Sequence, residues 1–322
     1  MRKYLLSLFS VFALAYFTMP VLAYQSSTGG TSTGLHSLSG TVKTSDAYLS
    51  YMPIGGSVPS GPVESTPIVF NGALYTITSN SMSGTYQGTF RVDSMLHRPM
   101  VTVNAPGMQY PCAYVENGTI YVYGTDSTHQ YVSVMTSSDL INWTAPTVVF
   151  TAPSGLGFYN TSVTKVGSGS YVMAVESTDA AYPGIPFVTH FLAGTSPTNW
   201  IMSAGLYNNN NFTNCPTIRY AVGKYYLLYM SKAVDAYFTF ITRSADLTNW
   251  ENGTGYPDGH TVPLAPTTTE GINNSDMDIV EFNGNVYMTF ARGDQTSWLE
   301  TTTAIWPGTL QQYLQSFFAT NP

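Results

Sequence analysis

The chain has 322 residues, 43% of them hydrophobic and only 9% charged, with a formal net charge of −7 and a pI near 5.0. That length supplies a large core, and the lack of a basic stripe excludes a surface built for nucleic acid or an anionic membrane. Tyr (24), Gly (28) and abundant Thr, Ser and Asn take the place of charge, which is a β-rich and turn-rich profile.

In chain order, Arg2 and Lys3 form a charged start, Tyr4 to Phe17 is a mostly apolar run, and Val21-Leu22-Ala23 offers a cleavage site. Residues 1–23 therefore read as a secretory signal peptide, too short in its apolar run for a membrane span. The mature protein is expected to be secreted, extracellular or on the cell surface, with no membrane partner after cleavage. Residues 24–38 are a Gly/Ser/Thr-rich flexible linker. Residues 39–322 are expected to form one domain. Strand-like stretches between 39 and 62 have no repeat unit of their own, and one of them is expected to close the fold as an outer strand of the last unit, removing an exposed edge.

A repeat organises the rest. SSDLINW (137–143) recurs as SADLTNW (244–250), more loosely as GTSPTNW (194–200), as RVDSMLH (91–97), and as GTLQQY (308–313). The copies end at His97, Trp143, Trp200, Trp250 and Tyr313, roughly 46 to 63 residues apart. Units of that size suit four-stranded blades, so the expected fold is an all-β, five-bladed β-propeller with four-stranded antiparallel blades at about 63–105, 106–152, 153–206, 207–264 and 265–318. Each unit opens with a hairpin; Asn-Gly at 71–72, 117–118 and 283–284 is the strongest turn signal, because both residues tolerate positive φ.

Strand order sorts the carboxylates between two rims. The start of the first strand and the end of the second share one rim, whereas the Trp turns lie on the other. Asp93, Asp139 and Asp246 fall in those outer turns, where an Asp caps its own turn through backbone hydrogen bonds. Aligning the first strands places Glu64, Tyr110, Asn160, Cys215 and Asp276 at equivalent positions near the axis. Thr66, Cys112, Ser162, Thr217 and Asp278 follow two residues on, and second-strand ends bring Asp126, Glu176 and Asp294 to the same rim. Glu64, Glu176, Asp276 and Asp278 should then converge on one mouth.

Carboxylates facing a polar, aromatic cleft suit glycoside hydrolysis, in which one is protonated to release the leaving oxygen and another is ionised to activate water or attack the sugar. Tyr110, Tyr159, Asn160 and Asn274 are candidates to stack on or hydrogen-bond a sugar. No cofactor is expected. In the alternative reading Asn274-Ser275-Asp276-Met277-Asp278 supplies oxygens to a hard structural cation.

The Asp-Leu-x-x-Trp turns, with GFYNTSV (157–163), YVMAVES (171–177), CPTIRY (215–220), INNSDMDIVEFNG (272–284) and GTLQQYLQSFF (308–318), resemble those of five-bladed propeller glycosidases of families 43 and 32 (arabinanases, xylosidases and invertases). More closely, they resemble a group of uncharacterised glycosidase-like propellers. The resemblance covers most of the mature chain. It implies the fold, an acid at the start of the first blade (Glu64, where those families use Asp) and a mid-blade proton donor (Glu176). Asn160 and Cys215 depart from the family pattern, so Asp276 or Asp278 would have to complete the set.

Arg219 reads either as a partner of these acids or of a substrate carboxylate, or as an internal ion pair; Asp294 is a further candidate at the mouth. Cys112 and Cys215 fall in units two and four with different registers, and two unbridged thiols are expected. The five His show no metal spacing. The sequence thus points to a secreted glycoside hydrolase-like protein acting on a poly- or oligosaccharide. The alternatives are a non-catalytic glycan-binding propeller and a structural surface component.

Overall fold

The computed structural model describes residues 42–43, 64–79, 88–94, 98–209, 213–233, 236–252, 261–264, 272–293 and 299–318. The signal peptide and linker expected over 1–38, the copy end at His97 and the candidate Asp294 lie outside the described residues.

The chain is almost entirely β-structure. Strand β1 is the short segment Val42–Lys43. The first sheet runs β2 (Ser65–Phe70), β3 (Ala73–Ser79), β4 (Thr89–Ser94), β5 (Arg98–Asn104), each strand antiparallel to the last. The second repeats the pattern with β6 (Gln109–Glu116), β7 (Thr119–Thr125), β8 (Tyr131–Ser137) and β9 (Thr147–Thr151), and the third with β10 (Leu156–Gly167), β11 (Ser170–Asp179), β12 (Val188–Ser196) and β13 (Asn199–Tyr207). A larger sheet holds two such groups. In one, β14 (Asn214–Ala221), β15 (Lys224–Ala233) and β16 (Ala236–Ser244) carry β17 (Trp250–Asn252) and β18 (Thr261–Leu264) on the outer side of β16. In the other, β19 (Asn273–Phe282), β20 (Asn285–Gly293) and β21 (Leu299–Pro307) are followed by helix α1 (Leu310–Gln315). A single parallel bridge, Tyr237 to Asn273, joins the two. Divided there, the strands fall into five antiparallel groups.

β1 pairs antiparallel with β21, Val42 opposite Ile305. An N-terminal segment therefore becomes the outermost strand of the last group, which covers the edge that β21 would otherwise present.

The core lies between consecutive sheets, because side chains alternate faces along each strand. On β7, Ile120 and Val122 join the cluster built with Ile77, Phe90 and Val92 of the first sheet, whereas Tyr123 joins the cluster with Phe158, Met173 and Trp200 of the third. Val172, Ala174 and Phe191 pack likewise on Ile218, Leu227 and Phe240, and Tyr226, Leu228 and Ile241 on Ile279, Met288 and Tyr313. The last group returns to the first through the Thr289 hydroxyl, which donates to the Ser65 carbonyl at 2.6 Å.

The tryptophans of the repeat turns stitch neighbours together. Trp143 meets Phe90 edge to face at 5.1 Å, Trp200 meets Tyr123 at 6.3 Å, and Trp250 stacks on Phe191 at 5.5 Å, each contact reaching the preceding sheet. Asp139 and Asp246 cap their own turns. Asp139 accepts from the amides of Ile141 (2.9 Å) and Asn142 (2.7 Å), and Asp246 from those of Thr248 (2.9 Å) and Asn249 (2.7 Å). Asp93 does not. It lies buried within β4, ion-paired with Arg91 at 2.9 Å, because the first copy of the motif has lost the Ser-Asp-Leu spacing that places an Asp in the turn.

All three Asn-Gly turns have both residues at positive φ, for example Asn71 at 48° and Gly72 at 74°. The β14–β15 turn has the same shape but places Val222 at φ 44° ahead of Gly223 at 76°. A β-branched side chain in that region costs about 1–2 kcal/mol. Val222 is 42% exposed, so little packing offsets the cost. Val222→Asn should therefore stabilise the fold by about 1 kcal/mol, read as a higher denaturant midpoint at unchanged m-value.

Candidate active site

The five innermost strands β2, β6, β10, β14 and β19 converge on one narrow hollow with a cavity volume of about 30 Å³. Glu64, Tyr110, Asn160, Cys215 and Asp276 line it, one from each group. Thr66, Cys112, Thr217 and Asp278 line it two residues deeper. Residues up to about 200 positions apart thus become neighbours because each occupies the same station on a repeated strand.

A local device aims these side chains. β6, β10, β14 and β19 each slip register against their second strands at this level: between Gln109 and Cys112, Phe158 and Thr161, Asn214 and Thr217, and Ser275 and Asp278. Tyr110, Cys215 and Asp276 sit at these bulges with φ of 54°, 49° and 54°. Left-handed backbone is costly for residues with a Cβ, and bulges beside functional sites commonly re-aim a side chain. A sequence signal was present but unread: Pro111 and Pro216 follow two of these residues, and bulges are one of the few places a strand accommodates proline.

Glu176, on β11, is not part of this lining; it stands behind Cys215 and is 5% exposed. Its Oε2 accepts the backbone amide of Cys215 at 2.7 Å, while the Cys215 thiol donates to Asp276. Cys215 therefore ties two acids together. Asp276 also accepts the Ser275 hydroxyl. Glu64 Oε2 accepts Asn160 Nδ2 at 3.1 Å.

These three carboxylates share one buried space, and their charges oppose each other. Burial pushes Glu176 up to about 8, with the Asp276 charge adding to the effect and the Cys215 amide opposing it. Glu64 is held well above the usual carboxylate range, first by burial and then by the charges of Asp276 and Glu176. Burial raises Asp276 too, against its bonds from Cys215 and Ser275. Asp276 has two side-chain donors opposing the effect of burial, whereas Glu64 has one amide donor and two acidic neighbours.

The other candidate residues divide. Asp278 lines the floor of the hollow, but its carboxylate is committed to an ion pair with Arg219 and to the Ile279 amide at 2.7 Å. Arg219 spends its remaining donors on the carbonyls of Ile279 (2.7 Å) and Ile218 (2.8 Å) and on Ser162 Oγ (3.3 Å). Arg219 is thus a partner of one of the four acids, Asp278, in an internal ion pair. Asn274 does not line the hollow. It is fully buried and donates to the Asn273 carbonyl at 2.6 Å; the register slip between Ser275 and Asp278 breaks the alternation that would put it on the same face as Asp276. With Asn274 turned inward and Asp278 tied to Arg219, the 274–278 segment does not gather its oxygens around a cation. Among the described residues, no group of three or more His, Cys, Asp or Glu side chains is placed to hold a metal. Asp126 does not face the hollow either. It caps its own loop, accepting the amides of Thr128 (3.0 Å), Gln130 (2.9 Å) and Tyr131 (2.9 Å). Cys112 and Cys215 are both free. Tyr159 stands beside Tyr110 with ring centroids 6.0 Å apart, and His129 stacks on it at 4.0 Å. Sequence reading weighed His129 only as a metal ligand and missed this placement.

No protein-family model matches the sequence, and no curated protein does. Solved structures match it in fold. A BT0996 RGII complex does so with TM-score 0.60 and 13% identity, over 82% of this chain and 92% of the other. The alpha-L-arabinofuranosidase PaAbf62A from Podospora anserina in complex with cellotriose matches with TM-score 0.58 and 14% identity, over 83% and 98%. An exo-1,5-alpha-L-arabinanase from a bovine ruminal metagenomic library matches with TM-score 0.56 and 13% identity, over 77% and 94%. The chain is thus an all-β propeller, similar in fold to propeller glycosidases.

Raised carboxylate pKa values are also a statement about stability. Unfolding returns Glu176 and Glu64 to ordinary values near 4.5, so their protonated forms favour the folded chain. That contribution is complete below about pH 4.5 and is lost as pH climbs through the folded value, about 8 for Glu176. The melting temperature should therefore fall between pH 5 and pH 9, and Glu176→Gln should flatten that fall. A wild-type profile that is level across this range would contradict the crowding of the acids.

Proposed function

We propose that this protein is a glycoside hydrolase acting on a poly- or oligosaccharide, exported from the cell by the signal peptide read at residues 1–23. The observation that carries the reading is the pair of neighbouring buried carboxylates, Glu176 and Asp276, both hydrogen-bonded by Cys215. The likeness in fold to an arabinanase and an arabinofuranosidase supports it and suggests pentose-containing glycans as first substrates.

In this mechanism Glu176, still protonated at neutral pH, gives its proton to the glycosidic oxygen as the bond to the anomeric carbon breaks. Asp276, assigned the ionised role, either draws a proton from attacking water or attacks the anomeric carbon itself. Glu64, the group at which the family resemblance places the base, is held well above the usual carboxylate range by burial and by the charges of Asp276 and Glu176. In the present assignment it holds a proton and donates a hydrogen bond to a sugar hydroxyl. Asn160 orients Glu64, and Tyr110 supplies an apolar wall. Asp278 takes no part in proton transfer, being neutralised by Arg219.

One observation favours a second reading. Two of the five inward stations hold Asn160 and Cys215, neither of which is a carboxylate. A propeller that binds glycans without cutting them would need no more acids than this.

The two readings separate on arabinan, xylan and their nitrophenyl pentosides, with product release followed for wild type, Glu176→Gln and Asp276→Asn. Hydrolysis predicts measurable release by wild type and a loss of about 10²–10⁴-fold in kcat for each variant, with binding retained. Binding without release by all three proteins would make the chain a lectin. The pH profile is a further expectation: kcat/KM should fall as pH rises through about 8, where Glu176 gives up its proton, and this basic limb should vanish in Glu176→Gln.

A further inference from the structure

The rim that holds the acids also carries the loops between second and third strands, since second strands end there. Two of these loops, from the second and third groups, stand beside Tyr110 and meet in an aromatic cluster. His129, in the β7–β8 loop, stacks on Tyr159 at 4.0 Å with an interplanar angle of 24°. Phe187, in the β11–β12 loop, packs edge-on against Tyr159 at 5.1 Å. Tyr110 closes the cluster toward the hollow, 6.0 Å from Tyr159 and 6.3 Å from His129. All four rings are half-buried, so each keeps part of its surface in solvent.

Rigidity sets this cluster apart from a chance gathering of rings. Asp126 ties the β7–β8 loop through its bonds to the amides of Thr128, Gln130 and Tyr131, and its own carbonyl accepts the His129 amide at 3.0 Å. The loop is then fastened across to the third group: the His129 carbonyl accepts the Phe158 amide at 2.8 Å, and His129 Nδ1 donates to the Phe158 carbonyl at 3.2 Å. Gln130 adds a bond to the Leu156 carbonyl at 3.1 Å. The result holds His129 at φ 59°, a backbone that needs such support. Space is tight behind it. A Cβ on Gly157 would lie 2.7 Å from Thr178 Oγ1 and 3.6 Å from His129 Cβ. Burial holds the imidazole below its usual pKa, so at neutral pH it is an uncharged ring with a polar nitrogen on its edge.

We propose that Tyr110, His129, Tyr159 and Phe187 form a second sugar-binding position that receives the pyranose or furanose ring next to the one held at the carboxylates. The proposal rests on the reading of the hollow as a carbohydrate site. Sugar C–H groups carry slight positive charge and pack on the negative faces of aromatic rings, while edge nitrogens and phenol groups take up hydroxyls. An apolar wall without charge, one step from an acidic hollow, suits a neutral sugar unit and sets the minimum ligand at two linked residues.

The test is titration calorimetry on Glu176→Gln, which binds without turnover. The probes are arabinose, arabinobiose and arabinotriose, and xylose, xylobiose and xylotriose. In at least one series the disaccharide should bind roughly tenfold tighter than the monosaccharide, with little further gain for the trisaccharide. Adding His129→Ala, or Phe187→Ala if the first lowers the melting temperature by more than a few degrees, should bring that ratio near one and leave the monosaccharide constant within about twofold. Equal affinity for one and two residues, or a ratio that survives both substitutions, would overturn the second position and leave the hollow standing. No binding by any of the six sugars would overturn both.

Discussion

Three carboxylates and one cysteine amide in a space that water barely enters set the terms for this molecule. Glu64, Glu176 and Asp276 repel one another once charged, and the Arg219 guanidinium is committed to Asp278 beneath them. Such an arrangement is expensive to fold, because buried charge without a counter-ion is disfavoured and the acids respond by holding their protons. It survives because the surrounding sheets leave it no room to relax. Four interfaces between consecutive groups have their own apolar clusters, the last group meets the first through the Thr289–Ser65 hydrogen bond, and the repeat tryptophans fasten one sheet to the next.

Surroundings decide what an acidic residue does here. Asp139 stands in an outer turn, surrounded by amide donors, and its pKa is lowered to about 2 by bonds from Asn142 and Ile141. Glu176 stands near the axis, and burial raises it to about 8. The two groups are chemically almost alike. One meets water and backbone N–H groups and stays ionised; the other meets protein and further acids and keeps its proton. A propeller separates these environments by construction, since its turns alternate between an outer and an inner rim. The acids that stabilise the fold and the acids that do chemistry therefore need not compete for position. The inner rim also carries the loops that follow the second strands. For that reason an aromatic wall built from His129 and Phe187 stands beside the hollow even though neither residue belongs to an inner strand.

Strand alignment recovered the stations of Glu64, Tyr110, Asn160, Cys215 and Asp276, because hairpin turns such as Asn117-Gly118 fix register and register fixes which residue reaches the axis. It failed where a residue's surroundings, not its station, set its role. Asp126 has the right station but is drawn into its own loop by three amides. Asn274 lies two residues from Asp276 yet is turned inward. Asp93 belongs to a copy of the motif too worn to keep its turn. Cys215 gave no sign that its amide and thiol would join two acids.

From its order of residues alone, this chain determined the repeating unit, the all-β sheets with their tight turns, and the level at which each inner strand meets the axis. Those properties are local: a few neighbouring side chains and two backbone angles settle them. Only the closed tertiary structure decided which acids keep protons, where Arg219 is spent and which loop rings gather at the mouth. Such outcomes depend on solvent exclusion and on charges that meet across sheets, and neither exists until the sheets have packed.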